Sequence, residues 1–444
     1  MKKKGCSEFM AEKGRKLVIF GCGSAYTPEL FDEVIKRNQK LNFDRISLVD
    51  IPEGMECARI ILAFGKRMFQ KAGISCDLSL TTDRRQALKG ADFVISQIRV
   101  GRMPARIKDE TIGLQTGILG QETTGAGGFM NAMRTIPLAV SIAKDMEAIC
   151  PEAWLINFTN PSGLVAEALS KYSTVKSFGL CNVPINMQSD AAKALNADVG
   201  HLRCMFAGLN HLSYVTHAEL DGRDVMPLLV ERISENETLM KNIPKVPGIG
   251  RLIRSIGIIP SPYLQYYYFE DQMLKKQQEE FERNGQTRGS VVEEINRKLF
   301  VRYADVRLDE KPAELSQRGG SLYSFAAMNA VEALCSDALS EMVLNVPNRG
   351  SISDLEDGDV VETNCIVSRN RIAPIPSGRL PQSVKGLVQT VKQYERCTAQ
   401  AAMEFSRKKA LEALLNHPLI HGYANACAIL DKMEENFQEY ISLH

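Results

Sequence analysis

RKLVIFGCGS, residues Arg15 to Ser24, decides the fold. A short apolar run ends at Phe20 in a glycine-rich turn, the pattern of a buried parallel strand handing over to a helix. The helix is read from TPELFDEVIK: Thr27 is expected to cap it, Pro28 suits its first position, and Leu30, Phe31, Val34 and Ile35 recur along one face. A turn carrying Gly21, Gly23 and Ser24 at that place is where a dinucleotide pyrophosphate binds. Its glycines let the backbone come close, and the helix N-terminus offers free N–H groups to an anion. The third glycine of the full fingerprint is absent, since Tyr26 occupies its place. A second apolar run, RISLVD, ends at Asp50. That carboxylate is placed to accept from a ribose diol and would repel a 2′-phosphate, so NAD is expected and not NADP.

Outward from this unit the alternation continues. ECARIILAFGKRMFQKAG reads as a helix, CDLSLTT as a strand, RRQALKGA as a short helix and DFVISQI as a strand. A helix near Asn131 to Met146, the strand WLINF, a helix after NPSG and the strand VKSFGL follow. Such regular alternation predicts an α/β fold with a Rossmann-type, doubly wound parallel sheet of the lactate/malate dehydrogenase kind. Beyond residue 200 the pattern changes. HLSYVTHAEL, EMVLNVPN and DVVETNCIVS look like strands; Glu270 to Asn284, Ser290 to Tyr303 and Val384 to Asn416 look helical. The expected organisation is an N-terminal extension over 1–15, an NAD-binding Rossmann domain over 16–200, and a mixed α+β domain over 201–444 that binds substrate and metal and carries the oligomer contacts.

The 444 residues are 44% hydrophobic and 24% charged, and 54 basic against 53 acidic side chains leave a net charge of +1. No global field recruits nucleic acid or a membrane surface, so an anionic ligand must be held by local basic residues. No apolar run reaches the roughly 18 residues of a membrane span, and no apolar block follows the basic opening, so a cytoplasmic protein is expected. The 11 cysteines are scattered without a CxxC pair, and most are expected to be small buried hydrophobes.

Cys181, in GLCNVPIN, ends an inferred strand at the sheet edge where such folds place ligands, and His211, in GLNHLS, heads the next strand. Thiolate and imidazole are good divalent-metal ligands, and two alone leave a site open to substrate. Taken by themselves, the pair reads more simply as a buried thiol and a core histidine.

GCGSAYTPEL, QIRVGR, GQETTGAGGF, INFTNPSG, GLCNVPIN, GLNHLS, SPYLQYYY and QRGGSLYS occur in this order between Gly21 and Ser324. Together they resemble the glycoside hydrolases of family 4, the NAD- and metal-dependent glycosidases, and most closely those acting on 6-phospho-β-glucosides. The resemblance implies manganese held by Cys181 and His211. Asn182, after the cysteine, matches the β-type members, where α-type members tend to carry Asp, and is placed among the substrate-binding residues. It also implies a reaction outside the usual two-carboxylate scheme: oxidation at C3 by NAD, removal of the C2 proton, elimination of the aglycone, addition of water and re-reduction.

A tyrosine is the base in such enzymes; Tyr263 of SPYLQYYY is the candidate, with Tyr266 and Tyr267 as alternatives. Arg99 matches the QxR motif and Arg318 lies in QRGGSLYS, with Gly319, Gly320 and Ser321 beside it; both suit a phosphate dianion. Asn160 is expected to hold sugar hydroxyls or the nicotinamide side, to cap the next helix, or both. GQETTGAGG reads as a flexible loop near the cofactor, with Glu122 orienting water or metal ligands. Cys22 stands where a glycine is frequent, harmless if its side chain points away from the pyrophosphate. A homodimer or homotetramer is expected. The competing readings are a lactate/malate-type dehydrogenase, which needs no metal, and a non-catalytic NAD or sugar-phosphate sensor.

Overall fold

The computed structural model describes residues 14–236, 246–318 and 322–444. Its centre is a nine-stranded sheet. Strands β1 (Arg15–Phe20), β2 (Phe43–Val49), β3 (Asp77–Thr81), β4 (Phe93–Ser96), β5 (Trp154–Asn157) and β6 (Lys176–Gly179) are all parallel, in the order β3-β2-β1-β4-β5-β6. That is the strand order of a doubly wound dinucleotide-binding sheet, as expected, with its switch point between β1 and β4.

The sheet is buried on both faces, and the side chains of β1 show why its sequence is a continuous apolar run. Val18 and Phe20 enter the core packed against the helix Gly125–Ile149, while Leu17 and Ile19 enter the opposite core, against Thr27–Leu41 and Met55–Lys71.

A second sheet forms from the hairpin β7 (Leu202–Leu209) and β8 (Leu212–Leu220), with the short β9 (Arg223–Asp224) and β10 (Ile259–Pro260) along β8. The line drawn at residue 200 does not divide the first sheet. Strands β11 (Ser340–Pro347), β12 (Val360–Ser368) and β13 (Arg371–Pro374) come from the second half of the chain and extend that sheet antiparallel from β6. The expected extension lies outside the described residues through residue 13, and Arg15 already belongs to β1.

Most expected helices form close to the stated bounds, and Val384 to Asn416 is two: Gln382–Glu404 and Arg407–Leu415. Between them Phe405 is left-handed, and Ser406 caps the second by accepting from the Lys409 N–H. Several helices had no counterpart in the sequence reading: Arg102–Gln115, Val183–Leu195, Met226–Asn236, Ile249–Ile256, Tyr323–Cys335 and Gly422–Asn436. Thr27 does not cap. It is the first helical residue, after Tyr26, and its hydroxyl turns back to donate to the Cys22 carbonyl at 2.8 Å, which satisfies the turn instead of the helix end.

The GAGG glycines are likewise not loop. They open the helix Gly125–Ile149, and a Cβ on Gly127 would stand 2.3 Å from the Gln121 carbonyl oxygen, so the glycines let this helix close onto the preceding turn. All ten described cysteines are free. Only half are fully buried, fewer than expected: Cys57, Cys76, Cys335, Cys397 and Cys427 are partly exposed.

Candidate active site

A cleft of about 1640 Å³ opens beside the switch point. It is bounded by the first turn, the loops after β4 and β5, the tyrosine segment and the helix Arg288–Ala304. Every binding residue expected from sequence lines it, apart from the two candidate metal ligands just beneath its surface.

At one end lies the turn after β1. Gly21 has φ +73°, and a Cβ there would meet the Gln97 carbonyl oxygen at 2.8 Å, so no other residue fits without strain. The Gly23 N–H donates to Asp50 Oδ2 at 2.6 Å, and Asp50 Oδ1 accepts from the Ile51 N–H at 2.9 Å. The carboxylate is thus fixed at the tip of β2, where a ribose diol would reach it. Ser24 Oγ accepts from the Tyr26 N–H. Cys22 is fully buried in the core beneath the turn, so its side chain leaves the cleft clear. A glycine cradle with a fixed carboxylate beside it fits NAD.

Further in, three guanidiniums surround one carboxylate. Arg99 Nη2 lies 2.7 Å from Glu122 Oε2, and Arg106 Nη1 lies 3.0 Å from Glu122 Oε1. Arg106 also donates to Glu110 Oε1 at 2.9 Å. Arg318 sits over the Tyr26 ring at 5.5 Å and donates to Asn296 Oδ1. Burial alone would raise the Glu122 pKa, but Arg106 and then Arg99 outweigh it and hold the carboxyl down at about 2. Burial, then repulsion from Arg99 and Arg106, lowers Arg318 to about 10.

Arg99 Nη1 is buried and makes no hydrogen bond. Surplus positive charge with an unused buried donor is what a phosphate dianion would satisfy. Glu122 pairs with two of the arginines. Arg106 was missed in the sequence, where no neighbouring residue marks it. Gly319, Gly320 and Ser321 lie outside the described residues.

Beneath the cleft floor, Cys181 and His211 are 2% and 6% exposed. Cys181 follows β6, and its sulfur faces the Val183 N–H at 3.5 Å and the Tyr323 hydroxyl at 3.8 Å. His211 occupies the turn of the β7–β8 hairpin with φ +63°. Burial lowers its pKa to about 4, against a smaller upward pull from Glu122, so the imidazole is neutral and able to ligate. Burial, with Glu362 adding to it, raises the Cys181 thiol to about 12, while hydrogen bonds from the Val183 N–H, Tyr323 and Asn210 act the other way. Among the described residues no cluster of three histidines, cysteines or carboxylates forms. A thiol and a neutral imidazole without a third such ligand fit a divalent cation whose remaining positions go to substrate oxygens.

The tyrosines divide by their partners. Tyr267 bonds Thr124 Oγ1 at 2.8 Å and Tyr268 bonds the Tyr214 hydroxyl at 3.0 Å, so both are committed to packing. Tyr263 and Tyr266 line the cleft. Only Tyr263 lies flat on His211, with ring centroids 3.7 Å apart. Burial raises its pKa, and nearby negative groups, Cys181 first, raise it further, while Arg106 pulls it down.

Asn182 precedes the helix Val183–Leu195 and lines the cleft nearby. Asn160 does not cap the helix Ser162–Tyr172: Pro161 holds that position, and the amide oxygen of Asn160 is buried without a hydrogen-bond partner. It is therefore free for a ligand hydroxyl.

Comparison with known proteins agrees with this geometry. The family described as Family 4 glycosyl hydrolase matches residues 16–197, and its C-terminal domain matches 206–420. A probable 6-phospho-beta-glucosidase of Bacillus subtilis (strain 168) is 43% identical over 432 residues, covering 97% of this chain and 98% of that protein. The 6-phospho-beta-glucosidase of Escherichia coli (strain K12) is 38% identical, over 93% of this chain and 92% of its own. The crystal structure of the 6-phospho-beta glucosidase from Thermotoga maritima with manganese, NAD+ and glucose-6-phosphate superposes with a TM-score of 0.86 at 32% identity. It covers 97% of this chain and 100% of that one.

Proposed function

The chain belongs to family 4 of the glycosyl hydrolases, and from that membership we propose that it is a 6-phospho-β-glucosidase. It hydrolyses 6-phospho-β-glucosides of the cellobiose 6-phosphate type to glucose 6-phosphate, with NAD and a divalent metal, manganese, as cofactors. One observation carries this reading. A single cleft joins a glycine cradle for a dinucleotide and a surplus of guanidinium charge for a phosphate, and beneath its tyrosine wall lie a buried thiol and imidazole for a cation.

When bound, NAD supplies a hydride acceptor that takes and later returns the C3 hydrogen, and the cation supplies the charge that acidifies the C2 proton. Arg99, Arg106 and Arg318 hold the 6-phosphate and fix the sugar ring by its far end. Asn160 and Asn182 bind ring hydroxyls. Tyr263 takes the C2 proton on its phenolate oxygen as the bond to the C1 aglycone breaks. Water then adds at C1, the proton it gives up being matched by the one the aglycone oxygen takes, and Tyr263, its phenol having exchanged with solvent, delivers a proton to C2. Gly21, Gly23, Ser24 and Asp50 bind NAD, and Cys181 and His211 bind the metal.

A homodimer or homotetramer is part of the same reading. A cytoplasmic site of action belongs to the same proposal; no helix among the described residues is long and apolar enough to cross a membrane.

The test is hydrolysis of p-nitrophenyl β-glucoside 6-phosphate with NAD and manganese each supplied or withheld, beside the unphosphorylated glucoside and the α-anomer. Activity only on the phosphorylated β-anomer, and only with both cofactors, is expected. Activity that survives chelation and releases NADH in step with product would identify a dehydrogenase instead.

A further inference from the structure

Glu362, on β12, is 1% exposed and its carboxylate accepts from three neutral donors. Ser213 Oγ donates to Oε2 at 2.6 Å, Asn210 Nδ2 donates to Oε1 at 3.0 Å, and Asn345 Nδ2 approaches Oε1 at 3.4 Å. Among the described residues no basic side chain forms an ion pair with it. A buried carboxylate held only by neutral donors is costly to keep, and the reaction proposed above makes no use of it.

Its three partners lead to both candidate metal ligands. Asn210 and Ser213 flank His211 in the β7–β8 hairpin, so the carboxylate clamps that turn from both sides. Asn345 stands opposite Glu362 in the β11–β12 ladder and pairs with Gly179 of β6, two residues before Cys181. The approach there is close: a Cβ on Gly179 would lie 3.0 Å from that of Asn345. The Asn210 amide is itself oriented, because its Oδ1 accepts from the Gly163 N–H at 3.3 Å, which leaves Nδ2 to face Glu362.

We propose that Glu362 is a positioning residue for the metal site, setting the separation of Cys181 from His211 by joining their two segments and supplying a buried negative charge beside the cation. The proposal rests on the metal-dependent reading of the cleft. Outer partners of this kind hold ligating side chains in the geometry the metal needs. Glu362→Gln keeps the shape and, with the Ser213 hydroxyl turned to accept, the hydrogen bonds, and removes the negative charge, whereas Ser213→Ala removes one arm of the clamp.

The experiment titrates the full-length protein, saturated with NAD, with Mn2+ and follows the free-ion signal by electron paramagnetic resonance. NAD affinity and the thermal midpoint are measured alongside. Glu362→Gln is expected to weaken Mn2+ binding roughly 10- to 100-fold with NAD affinity unchanged. Ser213→Ala, a milder change that decides the matter if the first variant does not fold, should weaken it less and in the same direction. Wild-type Mn2+ affinity in the folded variant would overturn the proposal alone. If Cys181→Ser binds Mn2+ as the wild type does, the metal-site reading falls and this proposal with it.

Discussion

The imidazole of His211 lies flat on the phenol of Tyr263, with centroids 3.7 Å apart and ring planes 5° from parallel. The stack places the phenol beside a neutral histidine and near Cys181, whose negative form would push the tyrosine pKa up. Burial alone keeps this phenol protonated, so a phenolate base requires positive charge, from Arg106 and from the cation, beside it. Tyr263→Phe should lower kcat by about 10²- to 10⁴-fold while NAD still binds. Tyr266→Phe should cost far less. Tyr267→Phe should leave kcat alone and cost about 1 kcal/mol of stability through the lost bond to Thr124. Rate assays and thermal melts of the three variants separate these outcomes.

The arginine cluster makes phosphate the main handle on the substrate. Arg106→Met or Arg99→Met removes a charged hydrogen-bond donor, worth about 1.5–3 kcal/mol. KM for the phosphorylated substrate should rise accordingly, roughly 10- to 100-fold at 1.4 kcal/mol per decade. The unphosphorylated glucoside should remain without turnover in these variants, as in the wild type. Steady-state kinetics on both substrates checks this.

Glu122 ties the same arginines to acid stability. Its folded pKa is depressed to about 2 from an ordinary 4.5, so its contribution is fully present above 4.5 and is lost as pH falls toward 2. Glu122→Gln should therefore be less stable than the wild type at neutral pH, by about 2 kcal/mol. The gap should close in acid, and inorganic phosphate should narrow it at neutral pH by binding the uncompensated arginines. Denaturation measured across pH, with and without phosphate, tests both limbs.

Gly21→Ala tests the cofactor turn. With φ +73° and a Cβ only 2.8 Å from the Gln97 carbonyl oxygen, the variant must strain or shift the turn, at a cost of order 1–3 kcal/mol. NAD affinity should fall, read by fluorescence titration, while phosphate binding at the arginines is retained.

The first strand, its turn and Asp50 were legible because each is a local pattern: an apolar run, a glycine bend, a carboxylate at a strand end. Cys181, His211 and Tyr263 were singled out only through the company of other motifs, since a thiol, an imidazole and a phenol have no local signature. Arg106 escaped because its partner Glu122 is brought to it by the fold, and because Gly101, Pro104 and Gly113 make its helix read as loop. Glu362 escaped for a similar reason. In DVVETNCIVS it is one polar residue in a strand, and only the antiparallel strands added beyond β6 bring it beneath the hairpin. The same strands carried the sheet across residue 200, where the sequence pattern suggested a change of domain.

The most direct measurement is turnover of a 6-phospho-β-glucoside in deuterium oxide, with NAD and manganese present, followed by analysis of the released glucose 6-phosphate. Proton removal from C2 by Tyr263 predicts deuterium at C2 of the product, and no label in the product from Tyr263→Phe beyond its residual turnover. Full wild-type hydrolysis with C2 carrying only its original hydrogen, together with no slowing of a substrate deuterated at C2 or C3, would contradict the account.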